Sequence, residues 1–302
     1  MINKKKLQYV LITPARNEAQ YIEQTIKSMI SQNTLPKKWV IVSDGSTDGT
    51  DEIVKKYASA HNWIELERMP EHRDRQFAAK VHSFNAGLKR LEGLKYDIIG
   101  NVDADVSFEP DFFNHLISKF STHPTLGVAG APFVEGSKKV YDHNFIDLSH
   151  VSGACQIFRR ECFEQVGGYI PISGGGIDWA AVTSARMHGW MTRTFTEKVY
   201  YHHRQMGTGN QGLLMSRFKH GEKDYYLGGH PLWQVFRSCF QMTRKPYLVG
   251  GMFLLLGYTN GFLRRAKSPL PQELIDFHRQ EQISRLKELL KRANASNKPT
   301  IK

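Results

Sequence analysis

Two aspartates one residue apart, Asp103 and Asp105 in NVDADVSFE (101–109), follow the apolar run YDIIG at 96–100. Carboxylates at the end of a strand can hold a hard cation such as Mg²⁺ or Mn²⁺, which takes oxygen ligands and leaves positions open to a substrate diphosphate. Taken alone, an Asp-x-Asp pair is equally a solvated turn, because aspartate favours turns. Two more polar clusters stand in comparable places. SDGSTDGT (43–50) puts Asp44 just after the apolar run WVIV. A carboxylate there can accept from a nucleobase N–H, and the glycine after it lets a ligand approach the backbone closely. The same stretch also reads as a helix entry, with Ser46 or Thr47 as N-cap and Asp48 in the first turn. PARNE (14–18) follows LQYVLIT, and Asn17 reads as the cap of a helix over 18–32.

The elements that must position these clusters alternate. Strand-like runs at 7–13, 39–45, 64–69 and 96–105 are separated by helical patterns at 18–32, 47–60 and 76–93. In the first helix Ile22, Ile26, Met29 and Ile30 share one face. Strand–helix alternation implies a mainly parallel sheet flanked by helices. Ligands of such sheets sit beyond the carboxyl ends of the strands. PARNE, SDGSTDGT and DADVS then fall on one edge of one sheet. After residue 125 the spacing changes: LGVAGAPFV (126–134) reads as a strand, SGACQIFRRECFEQVGGY (152–169) as a strand or turn and a short helix, and PISGGGIDWAAVTSARMHGW (171–190) as a glycine-rich loop opening a helix.

The chain has 302 residues, 40% of them hydrophobic, enough for one large domain or two small ones. Cys155, Cys162 and Cys239 are too few and too scattered for a disulfide framework or a zinc site, which fits a reducing compartment. The basic start MINKKK precedes an apolar run too short for a secretion signal, which reads as a first buried strand. A net charge of +12 admits a nucleic acid, an anionic membrane or an anionic substrate as partner. The basic residues are dispersed rather than gathered in an arginine-rich stripe, so nucleic acid is not expected. The most apolar segment, PYLVGGMFLLLGYTNGFL (246–263), contains glycines, Thr259 and Asn260, and RRAK follows it. It is borderline for a membrane span of about 20 residues, and an interfacial, re-entrant or buried helix fits as well. A basic flank suits an anionic cytoplasmic surface.

PARNE, SDGSTDGT, KVHSFNAG (80–87) and NVDADVS, in this order after these strands, resemble the inverting glycosyltransferase family two with the GT-A fold. The resemblance runs over residues 7–190. It implies Pro14, Arg16, Glu18 and Asp44 at the nucleoside, Lys80 near the phosphates, and Asp103 and Asp105 at the ribose and metal, with Asp105 the better metal ligand. In GIDWAAVTSARMHGW, Asp178 matches the family's catalytic base, while Ile177 departs from the family by replacing the preceding acid. The alternative for Asp178 is a helix N-terminal charge, favourable by about 0.3–1 kcal/mol. In YYHHRQMGTGNQG (200–212), His202 or His203 corresponds to the histidine that completes the metal shell in many GT-A enzymes, and Arg204 can pair with the diphosphate; a basic surface loop is the alternative. Trp179 and Trp190 either line the acceptor side or belong to the core.

The expected architecture is therefore an α/β GT-A catalytic domain over 1–225 (nucleotide-sugar half 1–110, acceptor half 111–225). A helical extension over 226–302 follows it, in peripheral contact with an anionic membrane on its cytoplasmic face. The expected activity is transfer of a sugar, with Mn²⁺ or Mg²⁺, from a nucleotide-diphosphate donor (uridine by default) to a hydroxyl of a glycan or lipid-linked acceptor. A nucleotidyltransferase acting on a sugar phosphate and a non-catalytic basic binding protein are the rival readings.

Overall fold

In the computed structural model, residues 7–71, 77–136, 138–140, 148–204 and 212–296 are described. The chain divides into two compact units, Met1–Gln205 and Met206–Lys302.

The first unit begins with the expected alternation: β1 (Tyr9–Ala15), α1 (Ile22–Ile30), β2 (Lys38–Asp44), α2 (Thr50–Ala60), β3 (Ile64–Met69), α3 (Phe77–Lys89) and β4 (Ile98–Val102). It continues with β5 (Val106–Phe108), α4 (Phe112–Thr122), β6 (Leu126–Gly130), β7 (Phe133–Glu135), β8 (Lys138–Val140), β9 (Cys155–Arg159), α5 (Arg160–Gln165), α6 (Ile177–Met187), β10 (Met191–Thr194) and β11 (Tyr200–His202). The main sheet has the order β10-β6-β9-β4-β1-β2-β3. β1 pairs in parallel with β2 and β4, β2 with β3, and β10 with β6. Only β9 runs antiparallel, between β4 and β6. A second, smaller sheet has the order β5-β11-β7-β8.

Helices on both faces of the main sheet explain the apolar runs. Val10, Leu11, Ile12, Trp39, Val40, Ile41 and Val42 are all fully buried. The one polar side chain so deep in β1, Thr13, accepts from the indole N–H of Trp39 at 2.9 Å. α1 buries Ile22, Ile26 and Met29 as its spacing predicts. Its Thr25 hydroxyl donates to the Ala104 carbonyl at 2.7 Å, which fastens the Asp-x-Asp turn to the helix. Gly87 of α3 lies so close to the sheet that a Cβ would stand 2.6 Å from Ile12. That approach draws α3, and Lys80 with it, onto the strands.

Helix starts differ from the sequence expectation. α1 begins at Ile22 and α2 at Thr50, and neither has a side-chain cap bond. Asn17, Ser46, Thr47 and Asp48 all precede their helices: Asn17, Ser46 and Thr47 are bonded to one another across the two loops, and Asp48 accepts both from the Ala19 amide across the loops and from the Thr50 amide at the start of α2.

The second unit holds α7 (Leu213–Tyr226), α8 (Pro231–Met242), α9 (Val249–Leu263) and α10 (Gln272–Ser296). The domain boundary expected after residue 225 falls at the end of α7, inside this unit. The reason is close packing of α7 on α9: Cβ atoms on Gly221 and Gly257 would lie 2.0 Å and 1.9 Å from the Leu254 and Phe218 carbonyl oxygens. Among the described residues no helix is long and apolar enough to cross a membrane.

Candidate active site

β4, β1 and β2 are neighbours and run in parallel, so their carboxyl ends deliver DADVS, PARNE and SDGSTDGT side by side. The first and last of these strands end at Val102 and Asp44, and β1 ends at Ala15. Pro14, one residue earlier, is paired with Val42.

The PARNE and SDGSTDGT loops are bonded to each other. Asn17 takes the left-handed backbone region (φ 55°). Its amide donates to the Ser46 hydroxyl at 3.1 Å and its side-chain oxygen accepts from the Thr47 amide at 2.9 Å. The Glu18 amide donates to the Thr50 hydroxyl at 2.8 Å, and the Ala19 amide to Asp48 at 3.0 Å. Arg16 reaches Asp44, a buried carboxylate, at 3.7 Å. Gly45 follows with φ 64°, and a Cβ there would lie 2.7 Å from the Glu71 backbone. These bonds fix the two loops as one rigid wall.

Lys80 donates to Asp103 at 2.5 Å. Partial desolvation works against the ammonium charge, but the Asp103 carboxylate, helped by Asp178 and Asp105, outweighs it and raises the Lys80 pKa. Asn101 donates to the Gly153 carbonyl at 2.6 Å and lies 3.4 Å from Asp103. The Asp103 amide donates to the Ala154 carbonyl at 2.9 Å, and the Gly153 amide donates to Asp178 Oδ2 at 3.2 Å. A short path of backbone thus links Asp103 to Asp178, which enters from the first turn of α6. Asp178 sits against Gly153 so tightly that a Cβ on that glycine would stand 2.7 Å from the Asp178 Cβ. Neither Gly153 nor Asn101 carries a signal in the sequence: their roles arise from the antiparallel pairing of β9 with β4.

Asp105 is buried, and its pKa is raised by that burial and by Asp103, against the opposing pull of His202 and Arg204. Its Oδ1 lies 3.6 Å from His202 Nε2 and its Oδ2 lies 3.3 Å from Arg204 Nε. His202 Nδ1 is 2.5 Å from the Arg204 carbonyl. In the neutral ring, Nδ1–H donates there and the Nε2 lone pair turns toward Asp105. A lone pair and a carboxylate oxygen facing each other across 3.6 Å, both buried, suit a cation. Among the described residues no group of three or more His, Cys, Asp or Glu side chains gathers for a metal. A cation at this pair would therefore draw its remaining ligands from substrate or water. His203 turns elsewhere: its Nε2 is bonded to the Ser107 hydroxyl at 2.8 Å and its amide to the Asp105 carbonyl.

Arg204 also pairs with Glu18 and lies over the Tyr21 ring at 5.3 Å. Burial pushes the Glu18 carboxyl up from 4.5 to about 7, against the Arg204 charge and with help from Asp105, Asp103 and Asp48. A carboxyl whose folded pKa is raised binds its proton more tightly in the native state. Its contribution to stability is full below about pH 4.5 and is lost as pH rises through 7. Glu18→Gln should therefore gain stability over the wild type between pH 5 and pH 8, by at most about 3 kcal/mol. Chemical denaturation of the ligand-free protein at both pH values measures it; a difference that does not grow with pH would contradict the assignment.

Trp190 packs against Gly127 and Cys162 and donates to Gln165 at 2.7 Å, a structural place. Trp179 lies next to Asp178 in the first turn of α6, half-buried.

Residues 10–154 match the model of a family described as Glycosyl transferase family 2. Over this segment, just under half of the chain, the sequence is similar to glycosyl transferase family 2. The matched segment takes in β1 to β8 and the Gly153–Ala154 turn. Curated relatives include the poly-beta-1,6-N-acetyl-D-glucosamine synthases of Staphylococcus aureus strain COL, 28% identical over 125 residues, and of Staphylococcus epidermidis, 26% identical over 129 residues. Each match covers 41% of this chain and 28% of the relative. The chain thus spans less than a third of the length of these relatives. Among solved structures, the mannosyltransferase PcManGT from Pyrobaculum calidifontis in complex with GDP-Man and Mn²⁺ has a TM-score of 0.57 at 19% identity, covering 97% of this chain and 76% of the other. S. aureus TarS 1-349 in complex with UDP-GlcNAc has a TM-score of 0.55 at 15% identity, covering 93% and 92%. At these identities the likeness establishes the fold, which is GT-A.

Proposed function

We propose that this chain is a metal-dependent, inverting glycosyltransferase. It moves a sugar from a nucleotide-diphosphate donor, by default a uridine diphosphate sugar, to a hydroxyl of a glycan or lipid-linked acceptor. Its place is in polysaccharide or glycolipid synthesis at the cytoplasmic face of a membrane. The observation that supports this reading is the backbone path from Asp103 through Gly153 and Ala154 to Asp178, which ties the Asp178 carboxylate to the carboxyl end of β4.

The roles follow from position. Pro14, Arg16, Glu18 and Asp44 form the wall for the nucleoside, and Asp103, held by Lys80 and Asn101, faces the ribose. Lys80 and Arg204 supply positive charge for the diphosphate. Asp105 and His202 would hold the divalent cation, which supplies Lewis-acid compensation for the charge of the departing diphosphate. Asp178 takes the proton of the acceptor hydroxyl as that oxygen attacks the anomeric carbon, so configuration inverts. The Gly153 N–H, donating to Oδ2, orients this carboxylate.

A panel of nucleotide sugars with Mn²⁺ or Mg²⁺, scored for donor hydrolysis and for thermal stabilisation, tests the proposal. Release of nucleoside diphosphate supports it. Release of pyrophosphate would favour nucleotidyl transfer, and silence toward every donor would refute it. Gly153→Ala tests the placement of the base. The added methyl must move Asp178, and a displacement of about 1 Å costs roughly 100-fold in turnover. Donor-induced stabilisation should persist in this variant while acceptor-dependent turnover falls; unchanged turnover would show that Asp178 need not be held there.

A further inference from the structure

Two helices of the second unit are arranged inside out for a protein packed in water. α8 buries Gln234 and Ser238 and exposes Leu232 (61%) and Val235 (48%). α9 turns Gly250, Gly251, Gly257 and Gly261 inward, beside Leu254 and Tyr258, and exposes Val249, Met252 and Leu256. Gly251 permits the two helices to touch: a Cβ there would lie 2.3 Å from the Ser238 carbonyl oxygen. Tyr247 and Leu248, in the connection between the helices, are more than 60% exposed. Small and polar residues at the helix–helix contact, with large apolar ones outside, is the pattern of helices whose surroundings are lipid. The first unit, by contrast, exposes only Leu35 and Tyr201 among its described large hydrophobic residues.

Charge identifies the kind of surface that covers this hairpin. From Pro231 to Ser268 the sequence has no Asp or Glu but contains Arg237, Arg244, Lys245, Arg264, Arg265 and Lys267. Arg244 and Lys245 precede the exposed turn, and Arg264, Arg265 and Lys267 follow α9, all five exposed. Cations at both ends of an apolar stripe match an anionic headgroup layer, where each contributes about 1 kcal/mol. α9 has 15 residues, roughly 22 Å of helix, too short for a hydrocarbon core of about 30 Å. An apolar helix of this length with cationic ends lies in the interface rather than across it.

We propose that the α8–α9 hairpin is an interfacial insert that docks the chain on a bilayer of anionic phospholipid, with the apolar residues of both helices and their connecting turn among the acyl chains. This deepens the membrane setting proposed above, on which it rests, and is independent of the chemistry of the first unit. Cys239, exposed on α8 while Cys155 and Cys162 are buried, offers a reporter site in the native sequence.

The test uses the full chain with an environment-sensitive fluorophore on Cys239, and in parallel the unlabelled protein in flotation. Vesicles of phosphatidylcholine alone are compared with vesicles that also contain phosphatidylglycerol. A blue shift and flotation with the anionic vesicles are expected. Met252→Glu and Leu256→Glu should each weaken vesicle binding about tenfold. Arg264→Glu with Arg265→Glu should abolish the preference for phosphatidylglycerol. Donor hydrolysis by these variants without vesicles should match the wild type, which verifies folding and separates this proposal from the glycosyltransferase reading. Absence of flotation, or flotation unchanged in the glutamate variants, would overturn it. So would a solution dimer, measured by light scattering, that Met252→Glu dissociates without loss of vesicle binding.

Discussion

Asp178→Asn should lower acceptor-dependent turnover by about 100- to 10,000-fold, the range that a positioned general base contributes. Donor binding should be nearly unchanged. The amide is isosteric with the carboxylate, and its oxygen can still accept from the Gly153 N–H, so the tight contact with that glycine is preserved. The variant separates the catalytic role from the alternative, a favourable charge at the start of α6. Loss of such a charge would reduce stability by about 0.3–1 kcal/mol and leave turnover intact. Thermal midpoint and turnover measured on one preparation decide between the two. A variant with wild-type turnover would remove Asp178 from the mechanism.

Asp105→Ala should weaken Mn²⁺ binding and donor turnover by roughly a thousandfold, since a Lewis-acid contact is worth several kcal/mol and each 1.36 kcal/mol is a factor of ten. His202→Ala should act in the same direction, because its Nε2 faces Asp105 while Nδ1 is taken by the Arg204 carbonyl. His203→Ala should have little effect on Mn²⁺ binding, because its ring is bonded to Ser107. Electron paramagnetic resonance of Mn²⁺ with the three variants, without donor, reads the binding directly. Equal losses at His202 and His203, or none at Asp105, would contradict the assignment. Asp103 is already neutralised by Lys80, which explains why two acids one residue apart need not share a role.

Much of the first unit is legible in the amino-acid sequence because each strand from β1 to β4 is a compact apolar run and each helix between them carries a regular apolar stripe. A mainly parallel sheet follows, and with it the placement of PARNE, SDGSTDGT and DADVS on one edge; that β4, β1 and β2 are neighbours, in that order, is decided by the fold. Helix starts are less legible. Asn17 has the side chain of a cap, yet it accepts from the Thr47 amide 30 residues away, and Asp48 adds to its local bond with Thr50 one to the Ala19 amide 29 residues back; no local pattern encodes bonds of that span. β9 reads as a strand or turn, but its antiparallel insertion between β4 and β6 depends on pairing across the whole unit.

The same division holds for function. Residue types and their spacing determined which carboxylates could serve and in which order: Asp44, Asp103, Asp105 and Asp178 all stand just after an apolar run or glycine-rich loop. Choosing between His202 and His203 required the structure. They are adjacent in the chain, yet His202, the last residue of β11, faces Asp105, while His203, just past the strand, is bonded to Ser107. The character of 246–263 was equally undecided, since apolar content alone fits a buried, interfacial or spanning helix. Only packing shows that its glycines face α7 and α8, with Leu254 and Tyr258 beside them, while Val249, Met252, Leu256, Phe262 and Leu263 face outward. The physical reason is common to both cases. Composition states what a segment can contact, whereas the direction of a side chain depends on the register and neighbours that the folded chain supplies.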